Sequence, residues 1–141
     1  MSIFFSAIRQ AIVDKINNDA TKIKVAYKAD QSEFSGFPAA VVAPSDNAAE
    51  FGSTARDKFT MTFNVRIYYP IKDKTKQEEA DLALEKAVDE MIDIFKSRDA
   101  IGVACDWVRP IPSSWEYEER GSGIMRVAIV KIECVKHIAN V

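Results

Sequence analysis

From Lys58 to Tyr69 the chain alternates, with Phe59, Met61, Phe63, Val65, Ile67 and Tyr69 interleaved with Lys58, Thr60, Thr62, Asn64, Arg66 and Tyr68. A strand repeats every two residues, so this spacing puts the large apolar side chains on one face and leaves the other polar. Such one-sidedness predicts a strand of an antiparallel sheet with one face covered. Its register should be firmly set, because a slip of one residue would turn the whole apolar set to water.

Two stretches change period. Phe5, Ile8, Ile12 and Ile16, joined by Phe4 and Ala11, recur at spacings of three and four and predict an amphipathic helix from about Ser2 to Asn17, ended by Asn17, Asn18 and Asp19. Thr75 stands three residues before Glu78, the spacing of a capping box, and Leu84, Val88, Met91 and Phe95 follow with Ala80 and Ala87 alongside. A second helix should therefore start near Thr75. Lys96 and Arg98 would complement the negative end of its dipole before Gly102. Burying its four large apolar side chains on the long strand would contribute roughly 1.5–3 kcal/mol each.

The remaining segments are shorter. Ile23, Val25 and Tyr27 alternate with Lys24, Ala26 and Lys28, and Ala39 to Ala43 form a strand that begins beside Pro38, since proline opens a paired strand but does not sit inside one. Pro44 to Asp57 is rich in small and turn-forming residues and is expected to be a flexible excursion. Val103 to Val108 reads as a strand, Pro110 and Pro112 interrupt the pattern, and Trp115 and Tyr117 alternate with Glu116 and Glu118 in another strand. Gly121-Ser122-Gly123 is a hairpin turn. Ile124 to Ile138 is apolar on both faces at its start, as suits an inner strand. The expected fold is α+β, a mainly antiparallel twisted sheet packed against a long helix with an N-terminal amphipathic helix, in a single domain over residues 1–141.

Composition narrows the function. A formal net charge of -2 leaves no excess of cations to neutralise a nucleic acid backbone. The apolar runs are far shorter than the roughly 20 residues a membrane helix needs. The start, MSIFFSAIRQAIVDK, lacks the pattern of a secretory leader, so a protein made in the cytoplasm is expected. Cys105 and Cys134 are too few and too far apart in sequence for a disulfide framework and form no CxxC pair, which reads as buried reduced thiols. The only histidine, His137, reads as a partly exposed residue near the end of a strand, so a nucleophile has no evident base. No phosphate-binding or HExxH pattern is present. No catalytic, cofactor-binding or metal-binding residue is assigned.

Two features remain. Asp81, Glu85, Asp89 and Asp93 repeat every four residues, with Glu78 ahead of them. Like charges at that spacing cost on the order of 1 kcal/mol in all unless cations relieve them. The row is either a solvated helix face or an acidic surface that meets a basic partner or repels passing DNA phosphates. Phe51, Trp115 and Tyr117 are candidate interface anchors, because large aromatics dominate binding energy where subunits bury them. Core packing is the better reading for Trp107, and an equal alternative for Trp115.

The order of these elements resembles a known family. An N-terminal amphipathic helix, the Phe37-Pro38-Ala39-Ala40-Val41-Val42 strand, a long loop, the alternating strand from Phe59 to Tyr68, a long helix and a last strand pair resemble the tail terminator, or tail completion, proteins of long-tailed bacteriophages. The resemblance is one of pattern and length over nearly the whole chain. It implies a structural, non-enzymatic subunit without cofactors that forms a homo-oligomeric ring, a hexamer in that family. The ring would end polymerisation of the tail tube, contact the tube protein and the head-tail connector, and reside in the virion. It further implies that Phe51, Trp115 and Tyr117 contact neighbouring subunits or the tube. The acidic surface of Glu78, Asp81, Glu85, Asp89 and Asp93 would line a channel that DNA passes without specific binding. The alternatives are another neck or head-completion protein, or a small-molecule-binding domain or enzyme.

Overall fold

The computed structural model describes residues 5–51, 56–71, 77–97, 100–102, 105–120 and 123–139. The side chains of residues 5, 46–51, 56–58 and 138–139 lie outside that description. The fold is α+β, with two helices and a five-stranded mixed sheet: α1 (Phe5–Asp19), β1 (Val25–Tyr27), β2 (Ala39–Phe51), β3 (Arg56–Ile71), α2 (Gln77–Phe95), β4 (Trp107–Arg120) and β5 (Gly123–Ala139). The strand order is β1-β2-β3-β5-β4, with β1 parallel to β2 and the other pairings antiparallel.

The alternation of β3 decides where the core lies. Met61, Phe63, Val65 and Ile67 are buried on the face that receives Leu84, Ala87, Val88, Met91 and Phe95 of α2 and Ile8, Ile12 and Ile16 of α1. The register carries the same face into β5 through Phe63↔Ile132, Val65↔Val130 and Ile67↔Ala128, and into β2 through Ala40↔Ile67 and Val42↔Val65. β5 lies between β3 and β4, which accounts for its doubly apolar start.

Three expectations need correction. Residues 44–57 are not a loop throughout, because β2 runs on to Phe51 and β3 begins at Arg56, with Ala49↔Phe59 and Phe51↔Asp57 still in register. The turn-forming residues after Pro44 are taken up by an irregularity between Pro44 and Asn47. Beyond it, the ladder is made by backbone groups that need no apolar side chains. Similarly, Pro110 and Pro112 do not split β4. They stand on an edge strand, where alternate amides face away from the sheet and a missing N–H costs no ladder bond. The ladder shifts register between Pro112 and Ser114. At its start, residues 105–106 precede the strand, which opens at Trp107.

The second face of β3 is not simply polar. Tyr68, only 2% exposed, packs there with Val41, Val127 and Ile129 beneath Phe34, which comes from the segment between β1 and β2. The expected helix start before Phe5, Thr75 of the capping box, Arg98, residues 103–104 and the Gly121-Ser122 turn lie outside the described residues. Gly102, after α2, has φ of 63°, a left-handed conformation that suits glycine.

A side chain far away in sequence ties α2 to the connection between α1 and β1. Glu90 of α2 accepts hydrogen bonds from the amides of Thr21 and Lys22 at 2.7–2.9 Å and from the Thr21 hydroxyl at 2.8 Å. Burial alone would raise its pKa, but these donors outweigh it and hold Glu90 below the ordinary carboxylate value. Its contribution is therefore present above the usual carboxylate range and lost as pH falls through the lowered folded value. Glu90→Gln should cost about 1 kcal/mol at neutral pH, below the usual range for charged hydrogen bonds because water reaches the site. Denaturant titrations across pH would show the gap to wild type closing in acid.

Candidate subunit-contact surfaces

The margins of the sheet differ. On the β1 side, α1 supplies polar groups to the outward backbone. Asn17 of α1 donates through Nδ2 to the Ala26 carbonyl at 3.2 Å and accepts at Oδ1 from the Ala26 amide at 2.8 Å, while Arg9 donates through Nε to the Val42 carbonyl at 2.8 Å. A carboxamide has one acceptor and donors side by side, as a peptide group does, so Asn17 occupies the place of a missing strand. At the opposite margin, β4 pairs with no further strand among the described residues.

On that open margin, residues after the register shift alternate between the helix side and the outer side of the sheet. Trp115 and Tyr117 fall on the helix side and are 43% and 53% exposed. Arg126 of β5 lies 5.5 Å from the Trp115 ring and 4.3 Å from the Tyr117 ring, and its Nε donates to Asp81 of α2 at 2.7 Å. Gln77, at the start of α2, reaches the Tyr117 hydroxyl. The aromatic pair is thus held from behind by a cation that is itself fixed to α2, an arrangement that limits the side-chain entropy lost on contact. Trp107 is half-buried on the outer side, with the Arg109 guanidinium 5.2 Å from its ring, and lies outside the helix-side core.

The acidic row is not uniform. Asp81 is engaged by Arg126, and Asp93 pairs with Lys96 at 2.8 Å, whereas Glu78, Glu85 and Asp89 face solvent. Phe51 closes the β2 ladder opposite Asp57, and its side chain is outside the described residues.

Sequence reasoning missed a cluster on the outer face. Arg120 lies 4.6 Å from the Tyr68 ring and 5.0 Å from that of Phe34. It donates to Glu118 at 2.7 Å, to Asp30 at 2.6 Å and to the Gln31 carbonyl at 3.0 Å. Burial would lower its pKa, but Tyr68, Asp30 and Glu118 more than compensate and raise it. Arg66 bridges Glu116 and Glu118, each at 3.2 Å. The cluster therefore straps residues 28–38 across the sheet. Its only sequence signal was Tyr68, an aromatic at a polar-face position.

Cys105 and Cys134 are both buried and free, and the fold brings Cys105, just ahead of β4, beside Cys134 of β5. The hydrogen bond to Cys105 and then burial push the Cys134 thiol up. His137 is partly exposed. Its amide donates to Asp106 at 2.7 Å and its ring lies 3.3 Å away, contacts that keep Asp106 below its ordinary pKa against the opposing effect of burial. Among the described residues no group of three or more His, Cys, Asp or Glu is placed to hold a metal ion, and no helix is long and apolar enough to cross a membrane.

Two grooves open to solvent flank the helices. One, of about 300 Å³, is lined by Lys22, Pro38, Glu79, Leu82, Ala83 and Lys86. The other, of about 440 Å³, lies beside the sealed margin and is lined by Ser6, Arg9, Lys28, Ala29 and Pro44. No protein-family model matches the chain, and the search of curated proteins finds no match.

Proposed function

We propose that this protein is a ring-forming structural subunit at the head-proximal end of a bacteriophage tail tube, where it ends tube polymerisation and joins the tail to the head connector, without enzymatic activity. The observation that carries the reading is the β4 margin, which pairs with no further strand among the described residues and has Trp115 and Tyr117 exposed on it. A strand open along one edge and bearing large aromatics is a surface that a partner buries. The order of elements, similar to that of tail terminator proteins, supplies the identity of the assembly.

In this reading α1 is the family's N-terminal amphipathic helix and α2 the long helix under a mainly antiparallel, twisted sheet. The subunit forms a homo-oligomer, a hexamer, that contacts the tube protein and the connector. Glu78, Glu85 and Asp89 face a channel that DNA traverses without specific binding. The protein is made in the host cytoplasm and resides in the virion neck.

The test is assembly. Mass photometry of the purified protein, alone and mixed with tail tubes, should give a hexamer or a monomer that becomes a ring on tube ends. Trp115→Ala combined with Tyr117→Ala should leave a folded monomer whose ring population falls by an order of magnitude or more, since anchors of this type are worth at least ~2 kcal/mol each. A stable monomer that ignores tubes and retains a small molecule would instead favour the binding-domain alternative.

A further inference from the structure

The two margins of the sheet carry opposite chemistry. At the β4 margin, Glu116, Glu118 and Glu119 accompany Trp115 and Tyr117. Glu116 and Glu118 share the guanidiniums of Arg66 and Arg120, the second of which also reaches Asp30 of the strap, and Glu119 leaves negative charge in excess there. Glu119 is exposed and has no hydrogen bond or ion pair with a described residue. At the other margin, the groove of about 440 Å³ has Arg9 and Lys28 around Ala29 and Pro44, and Lys28 is likewise exposed and unpaired among the described residues.

We infer that this groove receives the Trp115–Glu119 margin of a second copy of the chain, with Glu119 directed at Lys28 and Arg9 and an aromatic ring over Ala29 and Pro44. Two arguments single out a second copy. First, the patches are complementary in charge to each other and repulsive to themselves, so two acidic margins or two basic grooves do not meet. The contact is therefore heterologous, and a heterologous contact that closes produces a ring.

Second, the patches lie on opposite sides of the sheet, offset along the strands. Arg9 marks the rung of Val42, Val65, Val130 and Pro112, and the Trp115–Glu119 margin runs from the rung of Ile67 and Ala128 to that of Ile71 and Ile124. Along β3 the margin therefore begins two residues beyond Val65, or about 7 Å, and ends six residues beyond it, or about 20 Å. Copies joined this way lie side by side but staggered along the strands, and the contact runs through side chains because Asn17 already fills the backbone positions of Ala26.

The inference rests on the reading of the protein as a self-assembling ring and names the surfaces that meet. Its test is a charge-swap cycle, scored under the conditions in which wild type assembles, alone or on tail tubes. Lys28→Glu and Glu119→Lys each alter an exposed side chain. Each should weaken association on the order of tenfold, while the Lys28→Glu/Glu119→Lys double variant recovers most of it. An equimolar mixture of the two single variants should also assemble, since each then presents the margin the other lacks. If wild type forms rings and neither single variant changes them, the groove contact is wrong and the ring reading stands. If wild type forms no ring in either setting, both fall.

Discussion

Phe63→Ala is expected to lower the free energy of unfolding by about 3–5 kcal/mol, a large share of the roughly 5–15 kcal/mol that holds a domain of this kind folded. Phe63 is fully buried, on the face of β3 where α1 and α2 meet the sheet, and it pairs with Ile132 on one side and Pro44 on the other. Removing the ring leaves a cavity that three elements would have to collapse to fill, and the paired strands resist that movement. Denaturant unfolding should show the midpoint falling with the slope unchanged. Thr62→Ala, one position away on the other face, should shift it by no more than ~0.5 kcal/mol. Equal effects at both positions would overturn the assignment of faces.

Arg120→Ala should come next, at about 2–3 kcal/mol, because it removes charge-assisted hydrogen bonds to Asp30 and Glu118 and uncovers the Tyr68 ring. The figure is held down by Asp30, whose side chain is 64% exposed. The loss should be local before it is global. Amide exchange in residues 28–38 should quicken while that of Met61 to Ile67 stays slow, since the helix-side core does not use Arg120. Arg120→Lys should restore only part of the protection, because a lysine ammonium lacks the planar fork that engages several acceptors at once. Unchanged exchange in residues 28–38 would mean that the strap is held by Phe34 alone.

These two sites mark how far the sequence could be read. Phe63 was legible because its position follows from a period of two, which depends only on backbone geometry. The stripe of α2 was legible for the same reason at a period of 3.6. Arg120 was not, because its partners Asp30 and Gln31 are about ninety positions away and no local rule links them. Glu90 and Thr21, 69 positions apart, are likewise beyond any local rule.

Propensity misled where edges were concerned. Residues 44–51 and Pro110 and Pro112 look like interruptions, yet both lie in strands that border solvent for part of their length, where proline and small polar residues are tolerated. Among the candidate contacts, Trp115 and Tyr117 stood out by residue type and are exposed, but the cation behind them and the Arg9–Lys28 groove exist only once β5 and α1 are in place.

The carboxamide of Asn17 has a consequence for solubility. A stray peptide that tried to extend the sheet past Ala26 would have to displace a rival tethered to the same molecule, and a tethered group acts at an effective concentration in the millimolar range. Crowding or overexpression does not tip that contest readily, because the guard is synthesised with each molecule it guards. Unwanted polymerisation through β1 therefore requires α1 to detach first, which ties resistance to aggregation at that border to the burial of Ile8, Ile12 and Ile16.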